Sequence, residues 1–328
     1  MKKQNKKSAR ADAFSAFVGK ISHGTLVLQP SVVALATYIL LLISKLIDFS
    51  LINRENEYFS VVILQMMIFL LPGAVWCKFS GEGYVKNLRL RLPSVASVPL
   101  MICAALVLIT GGLLIGMLFG ATGATSGNFS LYDTFISKDN GTITTKLYLI
   151  LAYAALPAIC EEFVFRGILC HEYERGGVAR AIIVSSLFFG MLHFDLQNLP
   201  VYLFAGVILA LTLYATRSLL CAVIVHFLYN LFGLFGQPHI NALYSITGSK
   251  NFFLFLTVLI LLVAAIVFAA QASKLYKKYL HMGYGASYRR PVLTDPKDVR
   301  ASYLEVVRAP SAIACVVVYI IALIISWL

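Results

Sequence analysis

Nine stretches of this chain are apolar over lengths that suit a bilayer crossing: about 31–48, 58–77, 98–120, 147–170, 181–195, 200–215, 218–236, 251–270 and 311–327. A hydrocarbon layer about 30 Å thick is crossed by an α-helix of about 20 predominantly apolar residues, so these runs predict membrane helices. The expected fold is all-α, a polytopic transmembrane helical bundle with about eight to nine membrane helices. Composition agrees, because 59% apolar residues against 13% charged, at a mean hydropathy of +0.83, leave too little polar surface to cover a soluble globule of 328 residues. The fifth and sixth runs are short, and only Leu196, Gln197, Asn198 and Leu199 separate them. That suits a tight helical hairpin or a partly re-entrant pair.

Basic residues orient the bundle, since positively charged loops stay on the cytoplasmic side. With the N-terminus inside, 21 of the 27 Lys and Arg fall on cytoplasmic segments: the tail, 78–97, 171–180, Arg217 and 271–310. External segments hold Arg54, Lys138, Lys146 and Lys250, while Lys45 and Arg166 fall within spans. The expectation is a multi-pass protein of the cell membrane with its N-terminus cytoplasmic and its C-terminus outside. The formal charge of +12 then reads as topology plus attraction to anionic lipids at the cytoplasmic face, about 1 kcal/mol per basic residue near the surface. It implies no nucleic acid.

Four regions follow: a basic cytoplasmic tail at 1–30, N-terminal helices and loops at 31–146, a helical core at 147–236, and C-terminal helices at 237–328. The last contains a basic linker, 271–310, read as a solvated, lipid-facing surface. The tail, with Lys2, Lys3, Lys6, Lys7 and Arg10, lacks the apolar core and cleavage site of a secretory signal, and no processing is expected. Residues 121–130 read as a turn-rich external loop. Cys77, Cys103, Cys160, Cys170, Cys221 and Cys315 show no Cys-x-x-Cys spacing and read as buried thiols. Gly112, Gly116 and Gly120 recur on one face of the third run, which permits close helix contact.

Three of the apolar runs carry polar residues that need a reason. Glu161, Glu162 and Arg166 lie in one, Phe189 and His193 in a second, His226 and Asn230 in a third. Ionisable groups in a membrane interior are costly and mark functional sites by default. Residues four apart share a helix face and successive residues turn by roughly 100°. Glu162 therefore pairs with Arg166 within one helix, while Glu161 points elsewhere and is left for other work. Phe189 and His193 share a face, as do His226 and Asn230. Pro157 removes a backbone hydrogen bond and bends the helix just ahead of Glu161. Counted from the cytoplasmic ends of their runs, Glu161 lies roughly 13 Å deep, His193 roughly 18 Å and His226 roughly 12 Å, close to one layer.

Taken singly, each group has a plain structural reading: an intrahelical ion pair, a hydrogen-bonded histidine, an amide bridging two helices. Their conjunction points to an active site. His23, His239 and His281 read as interfacial or solvated. His171 reads as a cytoplasmic-loop residue, because His171-Glu172 is not followed a turn later by the second histidine of a His-Glu-x-x-His zinc motif. Asp195, Gln197 and Asn198 read as loop-capping groups, with Asp195 orienting His193 as the alternative.

The ordered set Glu-Glu-x-x-x-Arg, Phe-x-x-x-His and His-x-x-x-Asn, on separate spans between 161 and 230, resembles the CPBP family. That family comprises CAAX prenyl proteases of the Ras-converting type together with bacteriocin-processing and self-immunity proteins. All three motifs match without a departure. The resemblance implies an intramembrane endopeptidase in which Glu161 and His193 activate a water, while His226 and Asn230 polarise the scissile carbonyl and stabilise its oxyanion. Glu162, Arg166 and Phe189 would support them. Elementary chemistry is compatible: a carboxylate held away from water is a competent general base, and an imidazole and a carboxamide one turn apart can donate to one developing negative oxygen.

Two readings of the cofactor stay open. Glu161, His193 and His226 would equally ligate zinc and leave a fourth position for water, or the glutamate works without a metal. The implied substrate is a membrane-embedded or lipidated peptide, such as a prenylated CAAX tail, a bacteriocin leader or a pheromone precursor. Two other functions compete: a non-catalytic self-immunity protein or scaffold, and a proton-coupled transporter. The latter would show paired broken helices in two related halves, and no such repeat is visible.

Overall fold

The computed structural model describes residues 29–46, 57–81, 83–119, 143–283 and 295–327. The basic tail with Lys2, Lys3, Lys6, Lys7 and Arg10 lies outside the described residues, as do His23, Arg54, Gly120, the loop at 121–130, Lys138 and residues 284–294 of the basic linker.

Each of the nine apolar runs forms a helix, and no strand occurs among the described residues. A helix satisfies its backbone donors within the segment, as a lipid environment demands. In chain order α1 is Ser31–Leu46, α2 Glu57–Phe79 and α3 Val98–Leu118. The long α4 begins with Ile143–Leu149 and runs without a break to Gly176. Then come α5 Val178–Leu192, α6 Leu199–Thr216, α7 Leu219–Phe235, α8 Gln237–Thr247, α9 Lys250–His281, α10 Pro296–Arg308 and α11 Pro310–Trp327. Five helices (α2, α3, α4, α6 and α9) are by themselves long and apolar enough to cross a membrane. The pairs α7 with α8 and α10 with α11 qualify only as bent spans, and α1 and α5 are shorter apolar helices. The chain is a multi-pass helical membrane protein.

At the centre α6 packs against α5, α3 and α7, α9 lies along α3, and α11 lies along α1. Glycines set how closely these helices approach. A Cβ on Gly206 of α6 would come within 2.8 Å of Ser186 Cβ and 2.9 Å of Ser186 Cα, so α5 and α6 meet almost backbone to backbone. A Cβ on Gly112 would stand 3.0 Å from the Tyr229 hydroxyl of α7, which gives this glycine of α3 a packing role. Outward-facing Met67, Leu71, Leu262, Val263, Ile266 and Ile324 are exposed, as a lipid-facing surface requires.

Several boundaries differ from the sequence reading. Helix α5 begins at Val178 and ends at Leu192, so His193 is its C-cap rather than an interior residue. The stop is local: Phe194 adopts a left-handed backbone with φ 50°, and the Asp195 carboxylate accepts from the Asn198 backbone at 3.0 Å and its amide at 2.8 Å. Asp195 thus caps the hairpin turn, the first of its two readings. The basic linker holds structure that its polar composition hid. Helix α9 runs on to His281, and α10 starts at Asp295, whose carboxylate accepts from the Lys297 amide at 2.7 Å with Pro296 in the first turn. Buried Arg180 of α5 docks α10, donating from Nη1 to the Ser302 carbonyl at 2.9 Å and from Nε to the Tyr173 carbonyl at 2.9 Å. Arg89, Arg180 and Arg217, read as loop charges, are all buried.

Candidate active site

Helix α4 carries the two glutamates between two wide turns. Residues Ile150–Ala155 and Phe163–Leu169 are π-helical, and the α-helical Leu156–Glu162 lies between them. Pro157 stands two residues after the end of the first π turn. Its ring and missing N–H do not fit an uninterrupted α-helix, and the helix widens ahead of it instead of breaking. Such turns recur at functional sites.

Glu162 is the hub. It is fully buried, and its Oε1 accepts from Arg166 Nη1 at 2.8 Å and lies 2.9 Å from His226 Nδ1. An ionised carboxylate only accepts, so Nδ1 carries a hydrogen. The link to α7 was not read from the sequence, which gave Glu162 only its local partner. Arg166 is 1% exposed and compensated on three sides: by Glu162, by the Gly206 carbonyl at 3.2 Å, and by the Phe189 ring, whose centroid is 4.2 Å from the guanidinium carbon. Such compensation is what a buried charge requires.

Glu161 turns away from Arg166, as its place on the helix requires. Its side chain is 12% exposed, and its Oε2 lies 3.9 Å from His226 Nε2, beyond direct hydrogen bonding. That oxygen has no hydrogen-bond partner among the described residues. The ring of Phe189 stands edge to face with His193 at 5.1 Å and with His226 at 5.8 Å between centroids. His193 directs Nδ1 at the Phe189 carbonyl, 3.1 Å away. A carbonyl only accepts, so Nδ1 is the protonated nitrogen and Nε2 the acceptor of the neutral ring. Tyr202 of α6 stacks on His193 with centroids 3.8 Å apart and planes 11° from parallel. Asn230 is buried and donates to the Ala154 carbonyl at 3.5 Å, the outer limit of a hydrogen bond.

Glu161, Glu162, Arg166, Phe189, His193 and His226 therefore form one continuous set of contacts, and Asn230 joins from α7 to the first π turn of α4. Tyr202 and the Gly206 carbonyl are participants that the motifs did not contain. The zinc reading fares differently. Among the described residues no group of three or more His, Cys, Asp or Glu is arranged to hold a metal ion. His226 gives Nδ1 to Glu162 and leaves Nε2 facing Glu161 across 3.9 Å, while Phe189 packs against both imidazoles.

A second polar cluster closes the far end of α4. Arg89 pairs with Glu174 at 2.5 Å, and the Tyr214 hydroxyl donates to Glu174 at 3.2 Å. His171 Nδ1 lies 3.4 Å from Glu174, and Tyr84 donates to Glu172 at 2.6 Å while packing edge-on against His171. Burial, with the Glu172 carboxylate beside it, pushes the Tyr84 phenol well above its usual range. His171 is buried here, not the loop residue expected, because Glu172 and Glu174 find partners in the 84–89 segment instead of solvent.

Fold and site together define a multi-pass helical membrane protein with a buried carboxylate–imidazole cluster drawn from three helices. Residues 143–232, which span α4 to most of α7 and include all three motifs, match the family model described as type II CAAX prenyl endopeptidase Rce1-like. The resemblance drawn from the motifs is thereby shown for this segment, and it supports peptidase chemistry within the membrane in general. No curated protein and no solved structure matches the chain.

Proposed function

We propose that this protein is an intramembrane endopeptidase that hydrolyses a peptide bond near the end of a membrane-associated, lipidated peptide. The observation that carries the reading is the chain Glu162–His226–Glu161. One carboxylate fixes the imidazole at 2.9 Å, and the other faces its far nitrogen across 3.9 Å. At that separation the two groups are not bonded to each other, and each is left to engage a water or substrate oxygen.

In the proposed reaction Glu161 takes a proton from water, and His193 holds the second water hydrogen through Nε2. The water oxygen adds to the scissile carbonyl carbon. With a hydrogen on both ring nitrogens, His226 donates one to Glu162 and one to the oxyanion, with the Asn230 amide as second donor. Glu161 then returns its proton to the departing nitrogen. The C–N bond breaks and yields an amine and a carboxylic acid, whose remaining water hydrogen passes to His193 Nε2 to leave the carboxylate. No step passes through a metal. In this reading the N-terminus faces the cytoplasm across the cell membrane, and the site opens toward that leaflet.

The test is reconstitution in liposomes with synthetic peptides ending in a farnesylated or an unmodified CAAX tail, with products identified by mass spectrometry. Cleavage of the farnesylated peptide is expected, abolished by Glu161→Gln and by His226→Ala and lowered by His193→Ala. Unchanged turnover in Glu161→Gln would remove Glu161 as the base. No cleavage of either peptide by the wild type would sink the CAAX substrate.

A further inference from the structure

At the opposite end of α5 from His193, where Val178 stands roughly 22 Å along the helix, an apolar groove of about 430 Å³ opens between α5, α6 and α9. Val178, Leu211, Tyr214, Phe268, Ala272 and Tyr276 are among its walls. Its volume falls in the range of small-ligand sites. The Tyr214 hydroxyl turns inward, donating to Cys170 O at 3.3 Å and to Glu174 at 3.2 Å, so it leaves its ring to the groove. Arg217 holds the outer wall, its guanidinium carbon 5.0 Å from the Tyr276 ring centroid.

The rim has the opposite character. Helix α9 is 32 residues long, roughly 48 Å, and outruns a hydrocarbon core of about 30 Å. Its exposed Lys277 follows Tyr276 and stands one turn beyond Ser273, another wall residue. Exposed Arg175 sits three residues before Val178, where α4 hands over to α5. An apolar slot whose wall residues are followed by exposed Lys277 on α9 and preceded by exposed Arg175 ahead of α5 fits an amphiphile with an anionic head.

We propose that the groove binds one anionic phospholipid, its acyl chain between α6 and α9 and its phosphate at Arg175 and Lys277. The charge on the rim selects this occupant over a neutral lipid, and basic pockets between membrane helices are where anionic headgroups settle. The site is separate from the Glu161 cluster and does not depend on proteolysis.

The test is native mass spectrometry of the full chain released from micelles titrated with phosphatidylglycerol or phosphatidylcholine. One retained phosphatidylglycerol per chain is expected, held on the order of tenfold more tightly than phosphatidylcholine. Ala272→Trp fills the groove and should remove that lipid, and Ala215→Phe, from the facing wall, should do the same, so misfolding of one variant does not decide the result. Arg175→Glu combined with Lys277→Glu should erase the preference between the two lipids while leaving an apolar seat. Inorganic phosphate should not compete. Equal retention of both lipids by the wild type, or undiminished retention in both filled variants, would overturn the proposal. One-for-one displacement by a farnesylated peptide would also overturn it, making the groove the seat of a substrate chain.

Discussion

Replacing Glu162 by Gln strands a cation that the fold has buried. Arg166 is 1% exposed and would retain only the Gly206 carbonyl, the Phe189 ring and whatever the glutamine carbonyl offers. Breaking a buried ion pair from one side costs about 3–5 kcal/mol, and a retained hydrogen bond to a charged group returns about 1.5–3 kcal/mol. Glu162→Gln should therefore destabilise the protein by about 2 kcal/mol. Arg166→Met leaves the Glu162 carboxylate with His226 Nδ1 at 2.9 Å and should cost a similar amount. The double variant removes both charges at once, so its loss should fall short of the summed single losses by about 1–3 kcal/mol. Reversible unfolding in bicelles, followed by steric trapping, measures all three. Additivity within about 0.5 kcal/mol would refute the argument, because it would mean that neither charge depends on the other. In the same variants, Glu162→Gln should lower kcat by about 10–100-fold as the imidazole loses the partner that orients it.

Gly206→Ala should cost about 1–3 kcal/mol, because the new methyl overlaps Ser186 and forces α5 from α6. Ser186→Gly should restore part of the loss, and no restoration would show that another contact fails. Tyr202→Leu should lower kcat about tenfold by removing the stack on His193 while leaving KM unchanged. Tyr202→Phe should behave like wild type, and a phenylalanine variant as impaired as leucine would refute the stacking role. Treatment with 1,10-phenanthroline should leave cleavage unchanged, and loss of activity restored by added zinc would show that the imidazoles regroup around a metal.

What was legible in the chain was local. Apolar runs of about 20 residues announce helices whatever their neighbours, and the Glu162–Arg166 pair is written in a spacing of four. The bond from Glu162 to His226 joins residues 64 positions apart, and no periodicity encodes which of two adjacent glutamates will face a helix that far away. Tyr202 and Gly206 belonged to a run that read only as membrane-spanning. Their roles come from α6 lying against α5. The misread His171 teaches the same lesson in reverse, for His171-Glu172-Tyr173-Glu174-Arg175 looks solvated until Arg89 and Tyr84 supply partners from 85 or more positions away. The hidden α10 is a different case: Asp295-Pro296 is a sound helix start, masked by a basic composition that suggested only surface.

The second wide turn of α4 sits between two anchors, Glu162 holding one side and Glu174 the other. Everything beyond Phe163–Leu169 is therefore timed by the surplus winding of that turn. Removing one residue there would swing the following segment by roughly 100°, carrying Glu174 off Arg89 while leaving Glu162 in place. Apart from Arg166, whose pairing with Glu162 fixes its side chain, the stretch between the anchors is consequently constrained above all in its length.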